Sequence, residues 1–265
     1  MPGYNLKLTL ALLFAPLAFG QAPADPMQDR VLYFSHVITP QGVQETVNAI
    51  RGITDIRQVT IDPGQRFLSV RGTADQIAAA AWLVGALDQS ESAQPPTGSP
   101  LAYDYLGAPR GGTAVRVFWL ANISTPGGIQ ELVNAVRGTA DMSWIFSRKA
   151  PAAIIFRATP DQAALAEWLI NEIDGATGAA SAAPAIRKAA AYTYASDTRG
   201  DTAVRVYYLP PTVAPQSLQE IADLVRKTAH IQRFFPFNQL NAMVLRTTPE
   251  QADAAGRLIQ QGDSH

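Results

Sequence analysis

Apolar and polar positions along this chain switch between a period of two and a period near 3.6, and each switch predicts a change of element. In Val115-Arg-Val-Phe-Trp-Leu120 β-branched and aromatic residues predominate, which predicts a strand. Thr125-Pro126 then opens a helix. Threonine can cap, and proline is favoured at the first helical position, where its missing N–H has no intrahelical partner. Ile129, Leu132, Val133 and Val136 fall on one helical face. Arg137 complements the helix dipole in the last turn, and Gly138 suits a left-handed cap. Two strand-like runs follow, 142–148 and 152–157, across a gap short enough for a hairpin. The second leads into Thr159-Pro-Asp-Gln162, a capping box. Its threonine accepts from the N–H three residues on, and its glutamine reaches back to the threonine N–H. Leu165, Trp168, Leu169 and Ile173 carry that helix to near Asp174.

The same order recurs. Trp82 and Asp88 stand 86 residues before Trp168 and Asp174, while Gln219 and Asp263 stand 89 residues after Gln130 and Asp174. The first copy repeats the helix with Pro40, Val43, Val47, Ile50, Arg51 and Gly52. The third uses Pro215, Leu218, Ile221, Ala222, Val225 and Arg226, with Lys227 where the glycine stood. The capping box returns as Thr73 with Gln76 and as Thr248 with Gln251. Self-similarity at a fixed spacing predicts repeated structural units. Before the first strand of copies two and three, Tyr103-Asp-Tyr105 and Tyr192-Thr-Tyr194 alternate and run into turns, which predicts an extra hairpinned strand.

The expected fold is α+β: three tandem β-α-β-β-α repeats, each with two helices on a small mixed sheet, and an extra N-terminal strand in repeats 2 and 3. Repeat 1 spans 30–88, repeat 2 spans 102–174 and repeat 3 spans 192–263. Between them 89–101 and 175–191, rich in Ala, Ser, Gly, Pro or Thr, predict linkers. A unit this small buries only about 60% of its unfolded surface, so packing between units or against a partner is expected.

Composition narrows the function. The net charge is −1, which gives no field to recruit nucleic acid or anionic lipid. The absence of cysteine excludes disulfides, thiolate chemistry and cysteine-ligated metals. At the N-terminus Lys7, an apolar run over 8–19 and a small-x-small site at Ala18-Phe19-Gly20 or Gly20-Gln21-Ala22 read as a signal peptide over 1–22. The run is short for a membrane span, which needs about 20 apolar residues. The expectation is an exported protein, periplasmic or secreted, with no membrane span in the mature chain.

Several of these segments together resemble the N-terminal periplasmic domains of secretins, the outer-membrane rings of type II and type III secretion and of type IV pili. The matching residues are Leu120, Ala153-Ile-Ile-Phe-Arg-Ala-Thr-Pro-Asp-Gln162, Trp168-Leu-Ile-Asn-Glu-Ile-Asp174 and Asn241-Ala-Met-Val-Leu245. The likeness covers nearly all of the chain after the leader, one domain per copy. It implies domain-to-domain contacts in the envelope. The large C-terminal β-barrel that forms a secretin channel has no counterpart in the sequence, so the resemblance does not imply a pore.

Chemistry-bearing residues weigh against an enzyme. His36, His230 and His265 fall at unrelated repeat positions, so no convergent metal site is expected. No phosphate-cradling loop or nucleophile elbow is present, and no cofactor is expected. The recurring acids Asp75, Asp161 and Glu250, and Glu45, Glu131 and Glu220, sit in early helical turns, where capping and the helix dipole account for them. Arg71, Arg157 and Arg246 recur just before the caps. The reading is a strand arginine with its stem packed and its head solvated, with anion recognition at the following helix N-terminus as the alternative. Arg199-Gly200-Asp201 reads as a turn. A KH-like RNA-binding reading fails for want of a Gly-x-x-Gly loop and a basic excess. The aromatic stretches Phe118-Trp119, Trp144 with Phe146, Tyr207-Tyr208, and Phe234, Phe235 and Phe237 form a candidate protein interface. The expected function is thus protein–protein contact or self-association in the bacterial envelope, as an accessory or scaffold of a secretin-type assembly. The alternative is a small-ligand or glycan-binding envelope module that uses the aromatic strands.

Overall fold

The computed structural model describes residues 25–36, 39–62, 64, 66–90, 99–108, 111–182, 188–209 and 215–262. The expected leader lies outside them, as do His265, Asp263 and parts of both expected linkers. Strand β1 (Gln28–Tyr33), helix α1 (Pro40–Thr54), β2 (Gln58–Ile61), β3 (Phe67–Gly72) and α2 (Ala74–Leu87) come first. They are followed by β4 (Leu101–Asp104), β5 (Ala114–Trp119), α3 (Pro126–Thr139), β6 (Trp144–Lys149), β7 (Ala152–Ala158) and α4 (Pro160–Ala182). The last group is β8 (Ala190–Thr193), β9 (Ala203–Tyr208), α5 (Pro215–Thr228), β10 (Arg233–Phe237), β11 (Ala242–Thr247) and α6 (Pro249–Gly262).

The described residues form an α+β molecule with six helices and three small sheets. The N-terminal sheet has the order β1-β3-β2, the middle sheet β4-β5-β7-β6 and the C-terminal sheet β8-β9-β11-β10. Every pairing is antiparallel, which corrects the expected mixed sheets. The reason is the order of the strands. A helix crossover joins β1 to β2, but the hairpin partner β3 inserts between them and runs opposite to both.

Thr73 accepts from Gln76 N at 3.3 Å while Gln76 Oε1 accepts from Thr73 N at 2.9 Å. Thr159 with Gln162 and Thr248 with Gln251 form the same reciprocal pairs. Each glutamine also donates its Nε2 back to the C-terminal end of the preceding helix, to the carbonyls of Thr54, Ala140 and Ala229. The cap therefore ties two helices together as well as satisfying one helix end.

Three helix ends differ from expectation. Gly52 and Gly138 lie inside α1 and α3, and the left-handed residues are Asp55 (φ 59°) and Asp141 (φ 53°). Helix α4 runs to Ala182, eight residues past Asp174 and into the stretch read as a linker. Alanines there are good helix formers, and Ala176 and Thr177 are buried.

Burial separates the first sheet from the other two. Along β3 buried positions alternate with exposed or half-buried ones, the signature of a sheet covered on one face. Every residue of β7 and of β11 is buried. Both faces of the middle and C-terminal sheets are covered, one by the helices that follow in sequence and one by the preceding part of the chain. The buried side chains accordingly merge across sheet boundaries. Tyr105, Val115, Val117, Ala153 and Ile155 of the middle group join the N-terminal core. Tyr194, Val204, Val206, Phe237, Ala242 and Val244 join the middle core.

Candidate functional site

The sequence places its most unusual side chains where one sheet meets the helices of the one before it. At the first junction α1 lies along β6, and the ring of Phe146 sits on Gly52. A Cβ built at that glycine would fall 1.9 Å from Phe146 Cζ. At the second junction α3 lies along β10. A Cβ at Gly138 would fall 2.0 Å from Phe235 Cζ. Glycine is required at these two positions by the close approach of a ring.

Beside each ring an arginine reaches back. Arg157, on β7, is completely buried and donates to the carbonyl of Ile53 in the last turn of α1. Its second nitrogen meets Asp55 at 3.0 Å. The guanidinium lies over the ring of Trp144, at 4.5 Å from the centroid. Arg246, on β11, is 2% exposed and repeats the arrangement. It donates to Thr139 O at 2.6 Å and meets Asp141 at 3.3 Å. It also pairs with Asp197 and lies over Tyr194 at 4.3 Å. The carbonyls at a helix C-terminus lack intrahelical partners and carry the negative end of the dipole, so a cation there is favourable. The left-handed Asp caps add a second acceptor. A buried cation is tolerated because it is paired and hydrogen-bonded. The expected solvated head is thus corrected for Arg157 and Arg246. Arg71, on the first of the described sheets, has a side chain 51% exposed and sits 3.6 Å from Asp29.

Three of the recurring acids, Glu45, Glu131 and Asp161, also serve these junctions, which corrects their reading as helix-dipole residues alone. Glu45 accepts from Lys149 N at 3.1 Å, and Glu131 accepts from Asn238 N at 2.9 Å. Asp161 accepts from the hydroxyl of Ser196. Trp82 stacks on Tyr103 and Trp168 packs on Tyr192, both at 5.2 Å between centroids. Arg148 donates to Leu87 O and to Gln89 O, the latter at 2.7 Å, and so holds the end of α2. Tyr105 donates to Thr54 O at 3.2 Å. Burial at the junction pushes its phenol up to about 12, against the opposing pull of Arg157. Burial likewise raises Tyr194. Burial alone would raise the Asp197 carboxyl. The Arg199 N–H and the Arg246 guanidinium nevertheless hold it below the usual carboxylate range.

The aromatic residues expected to form a partner surface divide in two. Trp119, Trp144, Phe146, Tyr208, Phe235 and Phe237 face the preceding part of the same chain. Tyr208 donates to Glu172 of α4 at 2.7 Å. Phe118, Tyr207 and Phe234 pack within their own sheet and helices, and Tyr207 donates to Ala252 O of α6 at 2.7 Å. Of the histidines, His36 lies 3.5 Å from Asp88, and His230 ends α5 in a left-handed turn. Among the described residues no group of His, Cys, Asp or Glu converges as a metal site. The Arg199-Gly200-Asp201 turn is structural, since Asp201 takes Arg233 at 3.0 Å. Asn122 donates its backbone N–H and its Nδ2 to Asp174. Burial on two faces was the signal sequence reasoning missed. Alternation in Phe67-Leu-Ser-Val gives way to unbroken apolar runs in Ala152–Phe156 and Ala242–Leu245, and such runs mark a strand covered on both sides.

No protein-family model and no curated protein matches the chain. Solved structures similar to it include Aeromonas hydrophila ExeD, at 14% identity over 91% of this chain and 42% of that one, with a TM-score of 0.20. The N-terminal domain of the secretin XcpQ from Pseudomonas aeruginosa matches at 19% identity over 56% of this chain and 62% of its own, with a TM-score of 0.23. The structure of XcpQN012 matches at 13% identity over 91% of this chain and 99% of that one, with a TM-score of 0.25. The chain therefore spans less than half the length of ExeD. Among the described residues no helix is long and apolar enough to cross a membrane.

Proposed function

We propose that this chain is an exported, non-enzymatic interaction module of the bacterial envelope, built from three stacked secretin-N-like units and acting as an accessory or scaffold of a secretin-type assembly. The units correspond to 30–88, 102–174 and 192–263, after a leader over 1–22. The motifs that resemble secretin N-domains supply the family, and the junctions supply the mechanism. One observation carries the reading: Arg157 and Arg246, 89 residues apart, each close on the C-terminal carbonyls and left-handed Asp cap of the helix one unit back. Side chains that recur because they lock unit to unit are those of a rigid spacer that holds its ends at fixed separation. The work of such a module is to present surfaces to other proteins.

Cell fractionation combined with photocrosslinking from Tyr33, an exposed aromatic, tests this reading. The expected result is a periplasmic or secreted chain that forms a discrete adduct with an envelope protein. A chain retained in the cytoplasm, or one that crosslinks to no protein, overturns it.

A further inference from the structure

Each junction joins an exit face, carried by helices, to an entry face, carried by the next sheet. The described residues present two further faces of these kinds, an exit face on α5 and an entry face on the β1-β3-β2 sheet. Both are altered at several junction positions, although the entry face keeps Arg71 and Tyr33 at the places of Arg157 and Trp119. Gly52 and Gly138 receive a phenylalanine ring, whereas 89 residues past Gly138 stands Lys227, which is exposed. Asp55 and Asp141 receive the buried arginine, but their counterpart is His230. It keeps the left-handed backbone (φ 52°) without the carboxylate. The buried Ala49 and Ala135 become Leu224, which is 50% exposed.

The N-terminal sheet differs in the same sense. Phe146 and Phe235 correspond to Thr60, Ile155 and Val244 to Ser69, and Val115 and Val204 to Asp29, all three exposed. What remains is a shallow concavity of about 520 Å³ in which Asp29, Arg30, Gln58, Thr60, Ser69 and Arg71 stand beside Val31 and Val70. A lysine beneath an incoming ring would clash and bury an unpaired cation. A threonine offers no ring to fill a glycine notch, and Asp29, 3.6 Å from Arg71, would carry a carboxylate into an apolar core.

We infer that both of these faces are closed to a second copy of the chain. Lys227, His230 and Leu224 block the exit face, and Asp29, Thr60 and Ser69 block the entry face, so copies of the chain do not add head to tail through them. Terminal units of a stacked array are commonly atypical because they must stay soluble. Here the substitutions fall on the recognition positions themselves, which is discrimination by removal and repulsion. The inference rests on the junction geometry and stands whether or not the chain acts in secretion.

Two half-variants test it in the full chain. One carries Leu224→Ala, Lys227→Gly and His230→Asp, and the other Asp29→Val, Thr60→Phe and Ser69→Ile. Light scattering should find the wild type and each half-variant monomeric, and the mixture as a one-to-one complex. The combined variant should grow into open-ended oligomers, because a heterologous contact that does not close propagates. A wild type that crosslinks between copies from position 60 to position 227 overturns the inference. So do half-variants with wild-type circular dichroism that stay monomeric when mixed. Should a half-variant fail to fold, the converse exchange decides. Gly138→Lys with Phe235→Thr should detach the C-terminal sheet and enlarge the radius of gyration in X-ray scattering. An unchanged radius overturns the inference equally.

Discussion

Arg157 Nη2 stands 3.0 Å from Asp55 Oδ2, and the two residues are 102 positions apart in the chain. Removal of the arginine leaves the buried Ile53 carbonyl without its donor, while the Asp55 carboxylate, 36% exposed, turns to water. A buried acceptor left unpaired costs about 1–3 kcal/mol. Arg157→Ala and Arg246→Ala should each lose stability on that scale in urea denaturation. Arg71→Ala removes the corresponding side chain from an exposed face and should fall within about 0.5 kcal/mol of wild type. Equal effects at all three positions would show that the arginines serve their own sheets and not the junctions.

Glycine at position 52 gives a sharper contrast. Gly52→Ala places a methyl group where the Phe146 ring already lies and should cost about 1–3 kcal/mol through overpacking. Gly85, inside α2, has nothing within 4 Å of the Cβ it lacks. Gly85→Ala should therefore stabilise by about 0.5–1 kcal/mol, the gain expected from helix propensity alone. Thermal denaturation of the two variants should shift in opposite directions.

The sequence and the structure agree most closely where the signals are local. Thr73, Thr159 and Thr248 begin helices because a threonine and a glutamine three residues on satisfy each other's backbone N–H, and that needs no knowledge of the fold. The tyrosine strands were visible for the same reason, as alternation followed by a turn. What lay hidden was non-local. Arg157 in Phe156-Arg-Ala158 looks like any strand arginine, and only the chain 102 residues earlier decides that its head is buried. Gly138 next to a helix end suggests a cap, whereas its cause is a ring 97 residues later in the chain, at Phe235. The pattern marks the aromatics as contact residues without saying whose contact, and most of them meet the preceding part of the same chain. The break in the recurrence at Lys227 was legible, but its meaning needed the ring that fills the glycine notch in the other two copies.

The buried tyrosine at the first junction makes that junction alkali-sensitive. The Tyr105 phenol is raised from 10.0 to about 12, chiefly by burial, so the folded state holds its proton where the unfolded state has lost it. Above pH 10 the unfolded chain binds fewer protons than the folded one, and stability falls as pH rises. The contribution is fully present below pH 10 and is lost as pH climbs through the folded value near 12. Denaturation midpoints measured across this window should drop more steeply for wild type than for Tyr105→Phe, which lacks the titrating group. Parallel curves would show that Tyr105 does not resist ionisation in the folded chain.

The capping glutamines offer a test of a double role. Gln162 Oε1 accepts from Thr159 N at 3.1 Å, and its Nε2 donates to Ala140 O at 3.0 Å. If the side chain served only the cap, glutamate would replace it without loss, since either residue completes the box and the added charge favours a helix N-terminus. In this fold Gln162→Glu keeps the acceptor but sets a carboxylate against the Ala140 carbonyl at the end of α3. An acceptor left without its donor costs about 1–3 kcal/mol. Gln162→Glu should therefore be destabilised in urea by an amount comparable to Thr159→Ala, for which the loss of a cap predicts about 0.5–2 kcal/mol. The deficit should shrink at low pH, where the protonated carboxyl can donate to Ala140 O as the amide does. A glutamate variant as stable as wild type at neutral pH would confine the glutamine to its own helix and remove the tie between α3 and α4.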